Sequence, residues 1–384
     1  MKQNWTYKKL GEICETTSGG TPSKDHNEYY EGGTIPWLRS GEVANRNITR
    51  TEMFITQKGV DNSSAKLIPQ NSVVIAMYGA TVGQVGILRI EATTNQAVCS
   101  ITPNDSFVPE FLYYTLLSHK KAYLELAVGG AQPNISQQII KNTTIPLPPL
   151  STQSRIVSEL DLLQSIIDKQ KAQLKELDTL AQAVFYDMFG DPVENEKGWE
   201  VKKLGDLCDI IRGGSPRPIE QYLGGTIPWI KIGDATKGDD IYLHQTKEHI
   251  IEAGLKKTRF IHVGSLIFAN CGVSLGFARI ITFNGCIHDG WLAFDNISNE
   301  IGKVFLLKSL NYCTKYFRSI APDGTQPNLN TSIMKSFKQI IPPLALQKKY
   351  IDKIESIEKQ KAAIAQSIAE TQKLFDYTMD KYFG

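Results

Sequence analysis

The sequence has no run approaching ~18 consecutive apolar residues, the length that a membrane-crossing helix needs. Its start, MKQNWTYKKLGE, lacks the apolar core of a secretion signal. Both absences point to a soluble, cytoplasmic protein with no membrane partner. Six cysteines (Cys14, Cys99, Cys208, Cys271, Cys286, Cys313) form no CxxC, and no Cys/His pair has zinc spacing. They are expected to be small buried hydrophobes in a reducing compartment. An excess of one charge is missing too: 42 Lys+Arg stand against 40 Asp+Glu, +2 overall, which argues neither for nor against a polyanionic partner. What remains, 41% hydrophobic and 21% charged over 384 residues, is an ordinary globular composition long enough for two to three domains at ~150 residues each.

Catalytic signatures are equally scarce. No GxxxxGK[ST] phosphate loop occurs, and no Asp/Asn-Pro-Pro-aromatic motif of the kind that holds a target amine. GATVGQVG at Gly79 to Gly86 has the wrong spacing for a dinucleotide fingerprint and reads better as a strand-to-strand turn. His244 and His249 do not fit a zinc helix, and Asp191 with Glu200 and Lys202 only faintly resembles a nuclease carboxylate set. No catalytic, cofactor-binding or metal-binding residue is nominated.

What is present is a duplication. Trp5, Leu10, Gly11, Cys14, Gly19, Gly20 and Pro22 recur as Trp199, Leu204, Gly205, Cys208, Gly213, Gly214 and Pro216. GGTIPW at Gly32 to Trp37 returns letter for letter at Gly224 to Trp229, QPN at Gln132 to Asn134 returns at Gln326 to Asn328, and Pro148-Pro149 returns as Pro342-Pro343. Two copies are too few for a solenoid. Residues 1–150 and 199–341 each alternate short β-rich runs with Gly, Pro and Asn punctuation around helical patches near 108–127 and 300–318, which predicts an α+β globule twice over.

Each globule is followed by a purely helical segment, 151–190 and 342–384, with an acidic linker at 191–198. Ile156, Leu160, Leu163, Ile167, Gln170, Leu174, Leu177, Ala181, Val184 and Met188 follow a 4,3,4,3 spacing, and Tyr350, Ile354, Ile357, Lys361, Ile364, Ile368, Thr371 and Phe375 repeat it with two polar interruptions. A narrow stripe with polar flanks wants a partner helix, for which the other copy is the nearest candidate; the alternative is a helix packed on its own globule. By segment the charge runs +1 (1–150), −2 (151–190), −2 (191–198), +4 (199–341) and +1 (342–384), so the positive charge sits in two blocks with an acidic segment between them.

The recurring loops look like recognition surfaces. Ser18, Gly20, Thr21 and Lys24 in one copy, and Arg212, Ser215 and Arg217 in the other, combine backbone amides, hydroxyls and cations, a set suited to phosphate oxygens; a tight turn with positive-φ glycines is the plainer reading. The TIPW tryptophans are expected in the core, followed by Arg39 and Arg46 in one copy and Lys231 and Lys237 in the other. Gln132 and Asn134, and Gln326 and Asn328, place two amides beside a rigid proline, fitted to base edges or to capping the next helix.

The order of SGGTPS, GGTIPW, the apolar strand before Gly79, QPN, the PLPPL and IIPPL hinges, FYDMFGD and the restart KGWEVKKLGD resembles the specificity subunit of type I restriction-modification systems over nearly the whole chain. The resemblance implies two target-recognition domains joined by two helices in an antiparallel coiled coil with pseudo-twofold symmetry. It further implies double-stranded DNA with a bipartite site as the ligand, and two modification subunits bringing S-adenosylmethionine to methylate adenine. Restriction subunits would add ATP, Mg and the nuclease. No base-reading residue carries over from the family. Two other classes stay open: a coiled-coil scaffold with two ligand-binding heads, and a stand-alone nuclease or methyltransferase fragment.

Overall fold

The computed structural model describes residues 5–128, 133–236, 238–322 and 328–384. It divides into two compact units, Met1–Lys169 with Ile368–Gly384, and Gln170–Ser367. No helix among the described residues is long and apolar enough to cross a membrane.

Both units use one topology. In the first, a five-stranded sheet runs in the order Thr16–Ser18, Val98–Ile101, Val73–Ala76, Val85–Leu88, Asn47–Ile48. In the second, the order is Asp209–Arg212, Trp291–Asp295, Leu266–Ala269, Ala278–Ile281, Tyr242–Leu243. The central strand explains the layering. Val73 and Ile75 enter one apolar cluster while Val74 and Ala76 enter another, and Leu266 and Phe268 part from Ile267 and Ala269 in the same way. Successive side chains leave a strand on opposite faces, so an unbroken apolar run is what a doubly covered strand requires. A smaller sheet carries each TIPW segment. Ile35–Leu38 lies between Met53–Ile55 and Thr93–Thr94, and Leu223–Ile230 pairs with Glu248–Ile250 and Gly285–Ile287, with Arg259–Ile261 added as a fourth strand. Trp37 and Trp229 are buried there.

The two long helices span Leu150–Phe189 and Leu344–Phe383. Gly190, at φ +73, ends the first, the left-handed residue that commonly closes a helix. The apolar stripe serves a globule as well as a partner helix. Ile156, Leu160, Leu163 and Ile167 belong to the first unit's main core beside Phe111, and Phe375 and Tyr382 of the second helix join them. In the second unit, Phe185 and Phe189 pack against both Tyr350 and Phe305, Ile354 and Ile357 are buried in the same core, and Leu177 and Val184 border it. Leu174, Ile364 and Ile368 are half-buried. Within that unit Gln170 meets Ser367 at 2.7 Å, Asp178 meets Lys361 at 2.7 Å, and Phe185 stacks edge-on to Tyr350, so the two segments run in opposite directions.

A buried glutamine fastens the start of each long helix. Gln153 accepts from the Val108 amide (2.9 Å) and donates to the carbonyls of Ser106 (2.9 Å) and Pro148 (3.0 Å). Gln347 repeats this with the Gly302 amide (2.7 Å) and the carbonyls of Glu300 (3.1 Å) and Pro342 (2.8 Å). Gln347→Leu leaves three backbone groups, one buried and two partly buried, without their partner and is expected to destabilise the second unit by about 1–3 kcal/mol, which denaturant unfolding would read. A loss under ~0.5 kcal/mol would show that the anchor is dispensable.

Candidate nucleic-acid interface

The strand that seats Trp37 leads into a turn at Ser40–Ala44, then into Asn47–Ile48 and back into Met53–Ile55. Glu42 holds this excursion shut by accepting from the amides of Arg39 (3.0 Å) and Glu52 (2.7 Å). Asp234 does the same in the second unit, accepting from the Lys231 amide (2.8 Å) and the Thr246 hydroxyl (2.7 Å). In the first unit the excursion walls an open groove of about 1090 Å³, lined by Arg39, Asn45, Arg46, Asn47, Arg50 and Asn95 among others. Guanidinium and amide groups are what phosphate oxygens and base edges are read with.

Most of the nominated cations already have partners. Arg39 pairs with Glu52, and Lys231 pairs with Glu248 while lying 5.7 Å from the Trp229 ring centre. Arg46 is held by Asp161 through both terminal nitrogens, at 2.7 and 3.1 Å. Lys24 is exposed and Arg217 is 79% exposed. Arg50 was not nominated from sequence; it is exposed, lines the groove and makes no ion pair among the described residues. The third arginine within residues 39–50 was its only signal. Lys237, Gln132 and Gln326 lie outside the described residues.

The glycine loops differ from both sequence readings. Gly20 donates its amide to the Thr94 carbonyl (2.9 Å), Gly213 to Trp291 (2.9 Å) and Gly214 to Ile287 (3.0 Å), so these amides are spent on the sheet rather than offered to phosphate. Nor is positive φ the reason for glycine, because none of these residues adopts it. A Cβ on Gly19 would lie 1.9 Å from the Thr94 carbonyl oxygen, and one on Gly213 would lie 2.2 Å from that of His288. Close backbone approach fixes the residue type.

Around the loops the copies keep a contact while changing both partners. Thr21 donates to Gln96, and Ser215 donates to Asp289 (2.8 Å). Ser18 donates to Gln137 (3.1 Å). Asp289 also receives His288 (3.0 Å) and Arg217 (3.6 Å), while Arg212 bonds its carbonyl (3.1 Å). Burial opposes the charge on Asp289, yet the Ser215 hydroxyl, the His288 ring and the two arginines together hold its carboxyl below the usual range. The QPN asparagines cap nothing. Asn134 exchanges backbone bonds with Val128 (2.8 and 3.0 Å), and Asn328 accepts from buried Asn270 (2.9 Å). The caps sit two residues later, at Ser136 and Asn330, because the chain must first leave the bridge before it can enter the helix.

A family model described as Type I restriction modification DNA specificity domain matches residues 2–179 and again 196–372. The chain is similar to the Type I restriction enzyme MjaIX specificity subunit of Methanocaldococcus jannaschii, 28% identical across 99% of this chain and 93% of that one. It also resembles the Type I restriction enzyme EcoR124I/EcoR124II specificity subunit of Escherichia coli, 32% identical over 42% of this chain and 41% of the other. Among solved structures, the S subunit of a type I restriction-modification system from M. genitalium shares the fold at 17% identity and a TM-score of 0.56, covering 99% of this chain and 96% of its own. A chain solved in work on complex assembly and conformational transition of a type I R-M system gives 0.66 at 23% identity, covering 99% and 98%. The duplicated sequence, the repeated strand order and the double family match therefore agree, and the chain belongs to the type I restriction modification DNA specificity domain family, of which it carries two copies.

Proposed function

We propose that this chain is the non-catalytic reader of a cytoplasmic type I restriction-modification complex. Residues 1–150 and 199–341 each read one half of a bipartite site in double-stranded DNA. The helices at 151–190 and 342–384, joined by the linker 191–198, form an antiparallel coiled coil that docks two modification subunits. Those subunits supply S-adenosylmethionine and methylate adenine, and restriction subunits supply ATP, Mg and cleavage. The observation that carries the reading is the arginine- and asparagine-lined groove on a domain built twice with one topology. Two similar readers on one chain match a site made of two separated halves.

With 42 cations against 40 anions, and Arg39, Arg46 and Lys231 internally paired, few charges remain to neutralise phosphates. The isolated chain is expected to bind duplex DNA weakly, and to gain strong sequence preference only with modification subunits. Titration of labelled duplexes with and without the partner decides this; equal affinity and preference in both cases would refute it.

A further inference from the structure

We infer that Arg46 in the first unit and Asp240 in the second are positioning residues, a charge-inverted pair of latches holding each DNA-reading loop against a long helix. The inference rests on the proposed function and adds the groups that fix the readers in place. Arg46 immediately precedes the groove-lining strand Asn47–Ile48, and its carbonyl accepts from the Ile87 amide (2.7 Å). Its guanidinium grips both carboxylate oxygens of Asp161 on the first long helix, at 2.7 and 3.1 Å. Tyr114 completes the site, donating to Asp161 at 2.6 Å, with the cation 5.0 Å from its ring centre and 5.2 Å from that of Tyr113. A forked, two-bond pair fixes direction as well as distance, which a single contact does not.

The second unit solves the same problem with the signs exchanged. Ile241 accepts from the Ile280 amide (2.8 Å) as Arg46 does from Ile87, and the residue before it, Asp240, is the latch. Asp240 meets Lys361 of the second long helix and, at 3.1 Å, buried Arg279. Lys361 is itself held by Asp178 (2.7 Å) and Glu358 (3.4 Å). Arg279 occupies the strand position that Gly86 holds in the first unit, where a Cβ would lie 2.9 Å from the Asn45 carbonyl, so the small residue admits the loop in one copy and the large cation binds it in the other. The inversion keys each loop to its own helix: Arg46 offered to Lys361, or Asp240 to Asp161, would meet a like charge.

The test uses the full chain assembled with its modification subunits, with Asp161→Asn and Asp240→Asn as variants, adenine methylation mapping on a randomised duplex library as readout, and thermal unfolding alongside. D161N is expected to relax base discrimination ~10-fold or more at one half-site and D240N at the other, each leaving the opposite half-site intact. The charge swap R46D/D161R should restore discrimination. A merely structural role would lower the unfolding temperature while both half-sites stay sharp, and that result overturns the latch. Should D161N fail to assemble, D240N, which leaves Lys361 its contacts with Asp178 and Glu358, carries the same test. A wild-type complex without bipartite preference would overturn the proposed function and the latch together, whereas sharp half-sites in both variants overturn the latch alone.

Discussion

Residues 1–190 expressed alone are expected to form a homodimer of twice the fragment's mass. Cutting there removes Phe375 and Tyr382, which cover the apolar face of Ile156, Leu160 and Ile167 in the intact chain. The fragment retains Leu177, Val184 and Phe185, whose sequence counterparts lie in the missing helix, so a second copy can lay them where that helix lay. The stripe must be probed with care. Leu163 is in the first unit's own core, and a charge there would unfold the domain rather than part the dimer. Leu177 and Phe185 belong to the other unit, so Leu177→Asp with Phe185→Asp leaves the reader's core untouched. Four charges per dimer in a dry seam, at ~2 kcal/mol or more each, should shift the assembly to monomer. Light scattering measures it, and a monomeric parent fragment would sink the idea.

Lengthening the helices is the second large effect. Four residues inserted after Lys171 add ~6 Å, close to two base-pair steps of ~3.4 Å, and as nearly one full turn they return the apolar stripe to the same side. The Gln170–Ser367 and Asp178–Lys361 contacts add a condition: the second helix needs a matching insertion beside Ser367, or the two fall out of register. The doubly extended chain, assembled with its partner, is expected to methylate at unchanged half-sites with a spacer longer by one or two base pairs. A two-residue pair of insertions turns the stripe by ~200° and should abolish activity. An unchanged spacer on methylation mapping would mean that the helices do not set the distance.

What the sequence showed was whatever depends on periodicity. The unbroken apolar run Val73 to Ala76, the repeated TIPW and the heptad stripe all describe which atoms avoid water, and that is written locally. Pairings across the chain are not. Arg46 and Asp161 lie 115 residues apart, and nothing in the loop's composition separates a cation bound to a helix from one free for phosphate. Arg50, four residues on, is the exposed one. The glycines mislead for a similar reason, since exclusion of a Cβ by Thr94 or His288 depends on a strand brought up from more than seventy residues away. Only the copies compared with each other carry a hint, because Thr21 with Gln96 and Ser215 with Asp289 changed on both sides of one contact.

The first unit takes its last piece, residues 368–384, from beyond the whole of the second, residues 170–367. During synthesis the order of completion is therefore reversed: the second unit is finished before the first can close. At ~5–20 residues per second those intervening residues take the ribosome ~10–40 s. Through that interval Ile156, Leu160 and Ile167 wait on a nascent chain without Phe375 and Tyr382. Neighbouring ribosomes on one message would then hold matching half-built units side by side, and the rate of translation, as much as the final fold, would decide whether each chain closes on itself or on its neighbour.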